Sequence, residues 1–248
     1  MALGSAELTI SEVFVSVQGE GPSAGKPAAF LRLGHCNLTC SYCDTPYTWD
    51  FARYDEATEL RRVPLHELTA FLLDQCPGLV VVTGGEPLIQ HKLLERLFLE
   101  VDQRAAERAE PPWPEAGGRL SIEVETNGTI RPVAGLAARV NQWNVSPKLR
   151  SSGEPPERRF RENALRWFAE QENAFFKFVV DTSESADEAL ELTLFLGVPK
   201  HRVLFMPEAK NRRELEARED LVADWARQRD VRFSSRVHLK LWDGERGR

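Results

Sequence analysis

The run LVVVTGG (79–85) opens with four apolar residues and no alternation. A strand written that way is covered on both faces, the habit of parallel sheets packed between layers. Related runs recur at AAFLRLG (28–34), LSIEVETNG (120–128), VNQWNVSPK (140–148), FFKFVVD (175–181) and RVLFMPE (202–208). Amphipathic segments separate them. In 63–76, Pro64 sits at a helix start and Leu65, Leu68, Phe71 and Leu72 share one face. A second helix carries Leu93, Leu94, Leu97, Phe98 and Val101. Others are predicted over 159–172, over 185–197 behind a capping box Ser185-x-x-Glu188, and over 211–229. A final strand is expected over 231–242. Strand–helix repetition implies a parallel sheet with right-handed crossovers. About six such units fit, so the α/β fold expected is an open partial (β/α)6-type barrel rather than a closed eightfold one. One domain should span 1–248, with variable loops near 102–118 and 150–158. Chemistry in such folds gathers at the C-terminal ends of the strands, where TGGEP, ETNG, SPK and MPE fall.

The rest of the chain narrows the possibilities. A net charge of −6 offers no basic footprint for nucleic acid or an anionic membrane. No apolar run reaches the roughly 18 residues of a membrane span. The stretch MALGSAELTISE lacks a basic n-region and a long apolar h-region, so no signal peptide is expected and the default compartment is the cytoplasm. There, clustered cysteines bind metal or do redox chemistry more often than they form disulfides.

Three of the four cysteines lie in GHCNLTCSYCDTPYTW (34–49), as Cys36-x3-Cys40-x2-Cys43. Thiolates suit zinc and iron–sulfur clusters. A structural zinc site wants four ligands, and His35 is the nearest candidate for the fourth, but adjacent residues seldom both reach one tetrahedral ion. Three cysteines on a cubane would leave one iron without a protein ligand, open to a bound small molecule. Cys76 stands apart and reads as a buried apolar residue.

The triad, with Tyr42 before its last cysteine, resembles the radical S-adenosylmethionine (SAM) superfamily. The resemblance implies that Cys36, Cys40 and Cys43 hold a [4Fe-4S] cluster whose fourth iron chelates SAM. Reductive cleavage then yields a 5'-deoxyadenosyl radical that takes a hydrogen atom from substrate. TGGEP, some 40 residues on, resembles the superfamily's SAM contact. Tyr42, Gly85, Glu86, Thr126, Ser146 and Lys148 would bind SAM on this basis.

The flank SVQGEGPSAGKPAAFLRLGHCNLTCSYCDT is similar to the 7-carboxy-7-deazaguanine synthases of queuosine (7-deazapurine) biosynthesis. That family converts 6-carboxy-5,6,7,8-tetrahydropterin to 7-carboxy-7-deazaguanine by radical ring contraction with loss of ammonia. It is a carbon–nitrogen lyase that uses SAM catalytically. Gln18, Gly19, Glu20, Arg32 and Thr83 would then bind substrate, and Thr45 would bind Mg2+, with Asp44 as runner-up ligand. The ending RVHLKLWDGERGR resembles a His-x3-Trp pattern of one branch, with His238 reaching the substrate and Trp242 completing the match. A flavodoxin or ferredoxin donor and a homodimer are further family expectations. Two alternatives stay open: an activase that installs a glycyl radical on a partner protein, and a non-enzymatic zinc module.

Overall fold

The structure, a computed structural model, describes residues 6–114 and 117–248. The first five residues of the stretch read for a leader, and 115–116 of the first variable loop, lie outside the described residues. Among the described residues nine strands form one sheet: β1 (Glu7–Val17), β2 (Pro27–Leu33), β3 (Arg61–Pro64), β4 (Leu79–Gly84), β5 (Ser121–Thr126), β6 (Gln142–Val145), β7 (Ala174–Val180), β8 (Val203–Pro207) and β9 (Arg232–Phe233). Their order is β3-β1-β2-β4-β5-β6-β7-β8-β9, with β3 and β9 as unjoined edges. From β2 through β9 the neighbours are parallel. Helices Leu65–Gln75, His91–Ala106, Ala134–Arg139, Glu162–Ala169, Ser183–Leu196 and Arg212–Gln228 occupy the crossovers. This is the open six-unit barrel that the alternation implied.

Side chains alternate across each strand, so every strand divides its residues between two surfaces. Leu31, Leu33, Val80, Val82, Ile122, Val124, Trp143, Val145, Phe176, Phe178, Val203 and Phe205 belong to the main core beneath the helices. The other face carries Arg32, Thr83, Glu123, Glu125, Asn144 and Lys177. A smaller apolar group of Ala28, Phe30, Leu79 and Val81 floors that face, with Phe14 stacked on Phe30.

Several expectations need correction. The strand foreseen over 231–242 pairs with β8 only at Arg232–Phe233, and Val237–Trp242 is a helix. Ser234 N–H makes a last bond to the sheet, at the Phe205 carbonyl, and beyond it the chain leaves, with Val237 N–H donating to the Gly19 carbonyl of the loop after β1. Leu239 then packs with Ala209 and Leu215. The capping box is Thr182 with Ser185, not Ser185 with Glu188. Glu188 instead accepts from the Arg150 N–H and pairs with Arg159 at 3.3 Å. Residues 102–106 continue a helix rather than open the variable loop. Residues 150–152 and 156–159 form short helical turns. β1 and β3 were not anticipated; they extend the sheet antiparallel beyond β2.

Candidate active site

The C-terminal strand ends border one cavity of about 300 Å³. Every site residue proposed from the sequence lines it except Glu86. The cysteine loop after β2 has little regular structure, yet neighbouring loops tether it. Ser41 N–H donates to the Ser152 carbonyl at 2.9 Å, and His35 N–H to the Thr48 carbonyl at 2.7 Å. Asn37 bonds Thr129 and Asn127 at 2.8 and 2.9 Å, and Thr39 Oγ1 donates to Glu154 at 2.6 Å. The loops after β2, β5 and β6 are thereby joined around the thiols.

All four cysteines are free. Burial pushes the Cys36 thiol up to about 12, against the pull of the Leu38 N–H, and burial also raises Cys40. Metal binding deprotonates such thiols and so has to overcome this effect of burial. Two sulfurs already receive donors: Leu38 N–H to Cys36 at 3.5 Å, and Trp49 Nε1 to Cys43 at 3.3 Å. Donors of this kind tune iron–sulfur clusters. Among the described residues no three Cys, His, Asp or Glu side chains meet closely enough to hold one ion. The thiols border a shared volume instead, as a multi-iron cluster requires. His35, the candidate fourth zinc ligand, faces Glu56 at 3.7 Å and Phe51, and it does not line the cavity that the thiols border. The donor set therefore fits a cluster. Cys76 is buried and donates to the Leu79 carbonyl at 3.2 Å, as an inert core thiol.

Within TGGEP the Glu86 side chain turns inward and braces neighbouring loops. Glu86 is fully buried and accepts from Thr126 Oγ1 at 2.8 Å, Leu88 N–H at 2.9 Å and Asn127 N–H at 2.7 Å. Burial raises its pKa, against those three donors. It is a bracket between the ends of β4 and β5. The glycines allow one loop to rest on the next. A Cβ on Gly85 would lie 1.9 Å from the His35 carbonyl oxygen, and Gly84 has φ +125° against the Leu33 backbone. Gly85, Thr126, Ser146 and Lys148 still face the cavity, with Lys148 Nζ donating to Ser146 Oγ at 3.0 Å.

The deeper side of the cavity is ionic. Glu20, after β1, accepts from Lys177 Nζ at 2.5 Å and Arg236 Nε at 2.8 Å. Lys177 also donates to Glu125 at 2.7 Å, and Glu125 accepts from Asn144 at 3.2 Å and Gln18 at 3.4 Å. Arg236 reaches on to Asp44. Burial would raise Glu20, but Lys177 and Arg236 hold it well below the usual carboxylate range. Burial would lower Lys177, but Glu125 and Glu20 hold it above its ordinary value. His238 packs on Gly19, where a Cβ would lie 2.1 Å from Nδ1, and its Nε2 is 3.9 Å from Glu20. Burial keeps His238 below its ordinary pKa. Arg32 Nε donates to Glu12 at 2.5 Å, and its terminal nitrogens have no protein acceptor among the described residues. Thr45 Oγ1 is 3.8 Å from Cys43 Sγ, and Thr83 lies on the cavity wall. Trp242 does not line the cavity.

Lys177, Glu125 and Arg236 were missed in the sequence. Lys177 had a signal: a lone charge in the apolar run FFKFVV. Glu125 had one too, in the alternation of IEVET. Arg236 had none, because its partner Glu20 is 216 residues away.

The radical SAM superfamily model matches residues 32–149. A 7-carboxy-7-deazaguanine synthase from Pyrobaculum aerophilum is 36% identical over 96% of each chain. The chain belongs to the 7-carboxy-7-deazaguanine synthase family. A crystal structure of QueE from Escherichia coli superimposes on this family member with TM-score 0.64 and 25% identity, over 94% of this chain and 95% of that one. Streptococcus suis SuiB, solved bound to S-adenosylmethionine, is similar in fold alone, with TM-score 0.51 and 12% identity over 81% of this chain and 48% of its own.

Proposed function

We propose that this synthase-family chain converts 6-carboxy-5,6,7,8-tetrahydropterin to 7-carboxy-7-deazaguanine with loss of ammonia, as a radical SAM lyase. One observation carries the reading: a single cavity joins three free thiols to a buried array of hydrogen-bonding charges. When bound, the cluster and SAM supply a carbon-centred radical that removes a hydrogen atom from substrate and, in this reading, is recovered at the end of the cycle.

Cys36, Cys40 and Cys43 would hold three irons. Tyr42, Gly85, Thr126, Ser146 and Lys148 would seat SAM, while Glu86 would act indirectly by fixing the Gly85 and Thr126 loops. Gln18 and Glu20 suit the amide and amino edge of the pterin, and the open nitrogens of Arg32 suit its carboxylate. Gly19 leaves room for His238 to stand over the ring, and Thr83 would close the floor. Arg236 occupies Asp44, which leaves the Thr45 hydroxyl as the protein oxygen for Mg2+, the rest of an octahedral shell coming from substrate and water. Enclosure by the surrounding loops would exclude water from the reacting centre. A flavodoxin or ferredoxin would deliver electrons, the active species would be a homodimer, and the reaction would run in the cytoplasm.

Anaerobically reconstituted protein, given SAM, Mg2+, a reductant and the carboxytetrahydropterin, should form the deazaguanine, detected by its near-ultraviolet absorption. No product, with SAM cleavage intact on another substrate, would sink the proposal. The activase alternative requires a large partner protein and consumption of one SAM per turnover.

A further inference from the structure

Lys177 sits on the cavity side of β7, between Phe176 and Phe178 on the core side. Its ammonium has three donors, of which Glu20 and Glu125 accept two, at 2.5 and 2.7 Å. The third N–H has no protein acceptor among the described residues, and Lys177 lines the cavity. Glu20 is half-used in the same way. A carboxylate offers about four acceptor sites, and the protein fills two of these, with Lys177 on one oxygen and Arg236 on the other. One remaining donor therefore stands beside two remaining acceptors. A pterin presents the complement along one edge: a 4-oxo acceptor, then an N3–H donor and a 2-amino donor.

A purely structural role explains this arrangement poorly. A buried ion array brings little stability over apolar packing of the same volume. β7 is otherwise apolar from Phe175 to Val180, so an apolar residue at 177 would have been the simpler core.

We propose that Lys177 is a further substrate-contacting residue, whose third N–H donates to the 4-oxo group while Glu20 accepts from N3–H and the 2-amino group. This rests on the function proposed above. Lys177 then shares with Glu20 the selection of a 4-oxo edge over a 4-amino edge: an amino group there would turn donor against donor at Lys177, and the N3–H that Glu20 accepts is lost from the diamino ring.

The test is equilibrium binding to reconstituted, SAM-loaded protein. The probes are 6-carboxytetrahydropterin and its 2,4-diamino counterpart. Wild type should prefer the oxo compound by at least about tenfold, the value of one charged hydrogen bond. In Lys177→Met that preference should shrink by about tenfold, mainly through weaker oxo binding, and what remains belongs to Glu20, because the diamino ring also lacks the N3–H. A variant that loses both compounds equally would assign Lys177 a structural role and overturn the proposal. Should Lys177→Met not fold, Lys177→Gln takes its place, since its amide can turn either a donor or an acceptor to position 4 and should narrow the preference in the same way; equal affinity of wild type for the two compounds also refutes the proposal. Wild type that binds SAM but neither compound would instead refute the synthase reading, and this inference with it.

Discussion

The two faces of the sheet are built from the same strands and obey different rules. On the helix side Trp143, Phe176, Phe178 and Phe205 are almost wholly buried, and the stabilisation scales with apolar area. On the cavity side, one residue along each strand, Glu123, Asn144 and Lys177 are as deeply buried, yet each is polar. Burying such groups costs free energy unless each finds a partner. Here the partners come from other strands and loops: Ser23 donates to Glu123 at 2.5 Å, Asn144 to Glu123 at 3.3 Å, and Lys177 to both glutamates beside it. One face is therefore tolerant of substitution by volume. The other depends on individual atoms.

That contrast can be broken from either side. The largest effect should follow Cys40→Ala: iron content should fall from about four per chain to background, with the apoprotein fold intact by circular dichroism. A variant that still holds a full cluster would remove Cys40 from the ligand set. On the opposite face, Phe178→Ala should cost about 3–5 kcal/mol in urea unfolding. It should leave iron loading of the folded fraction unchanged, because Phe178 belongs to the core and does not line the cavity. Glu20→Gln replaces a two-oxygen acceptor by one oxygen. Substrate binding should weaken roughly ten- to a hundredfold, with SAM binding retained; equal affinity for substrate would remove Glu20 from its contact.

The same variant tests an acid dependence. Burial opposes Glu20, but Lys177 and Arg236 prevail and lower its folded-state pKa. Its stabilising contribution is complete above the ordinary value of about 4.3 and is lost as pH falls toward the folded value. Glu123 and Glu86, raised by burial, act in the opposite sense. Only the difference between wild type and Glu20→Gln isolates the Glu20 share: the variant should lose stability less steeply below pH 5. Parallel curves would show that Glu20 does not govern the acid limb. The smallest change should come from Ser23→Ala, which removes one donor to Glu123 and should cost about 1 kcal/mol by thermal denaturation.

The helix-side face was the more legible of the two. Apolar runs such as LVVVTGG announce strands and their order of crossovers through composition alone. The cysteine triad was equally plain, because its spacing is local. The ionic side was legible only in part. Glu20 was read through the motif around it, but its partners Lys177 and Arg236 lie 157 and 216 residues away. No local period encodes such a pairing. The last segment was misread for the same reason: RVHLKLW carries strand-like residues, but the Gly19 carbonyl and the Glu20 carboxylate draw it out of the sheet. Glu86 shows a further limit. Its place in TGGEP was readable, but not the direction of its side chain, which points into the bracket between two loops.

The contact between the loop at 18–21 and the segment at 234–238 has a consequence for how the protein is made. Gly21 N–H donates to Ser234 Oγ at 2.8 Å, Val237 N–H to the Gly19 carbonyl at 2.9 Å, and Arg236 to Glu20. The second of these segments leaves the ribosome more than 200 residues after the first. Until then Glu20 has no Arg236 and His238 has no seat on Gly19. Thiols can already be in place on a growing chain, because their tethers at Asn127 and Ser152 arrive more than 80 residues before Arg236. The substrate side of the cavity is thus a late product of synthesis, and a chain cut short before Arg236 would carry the cysteine loop without a finished place for the molecule it serves.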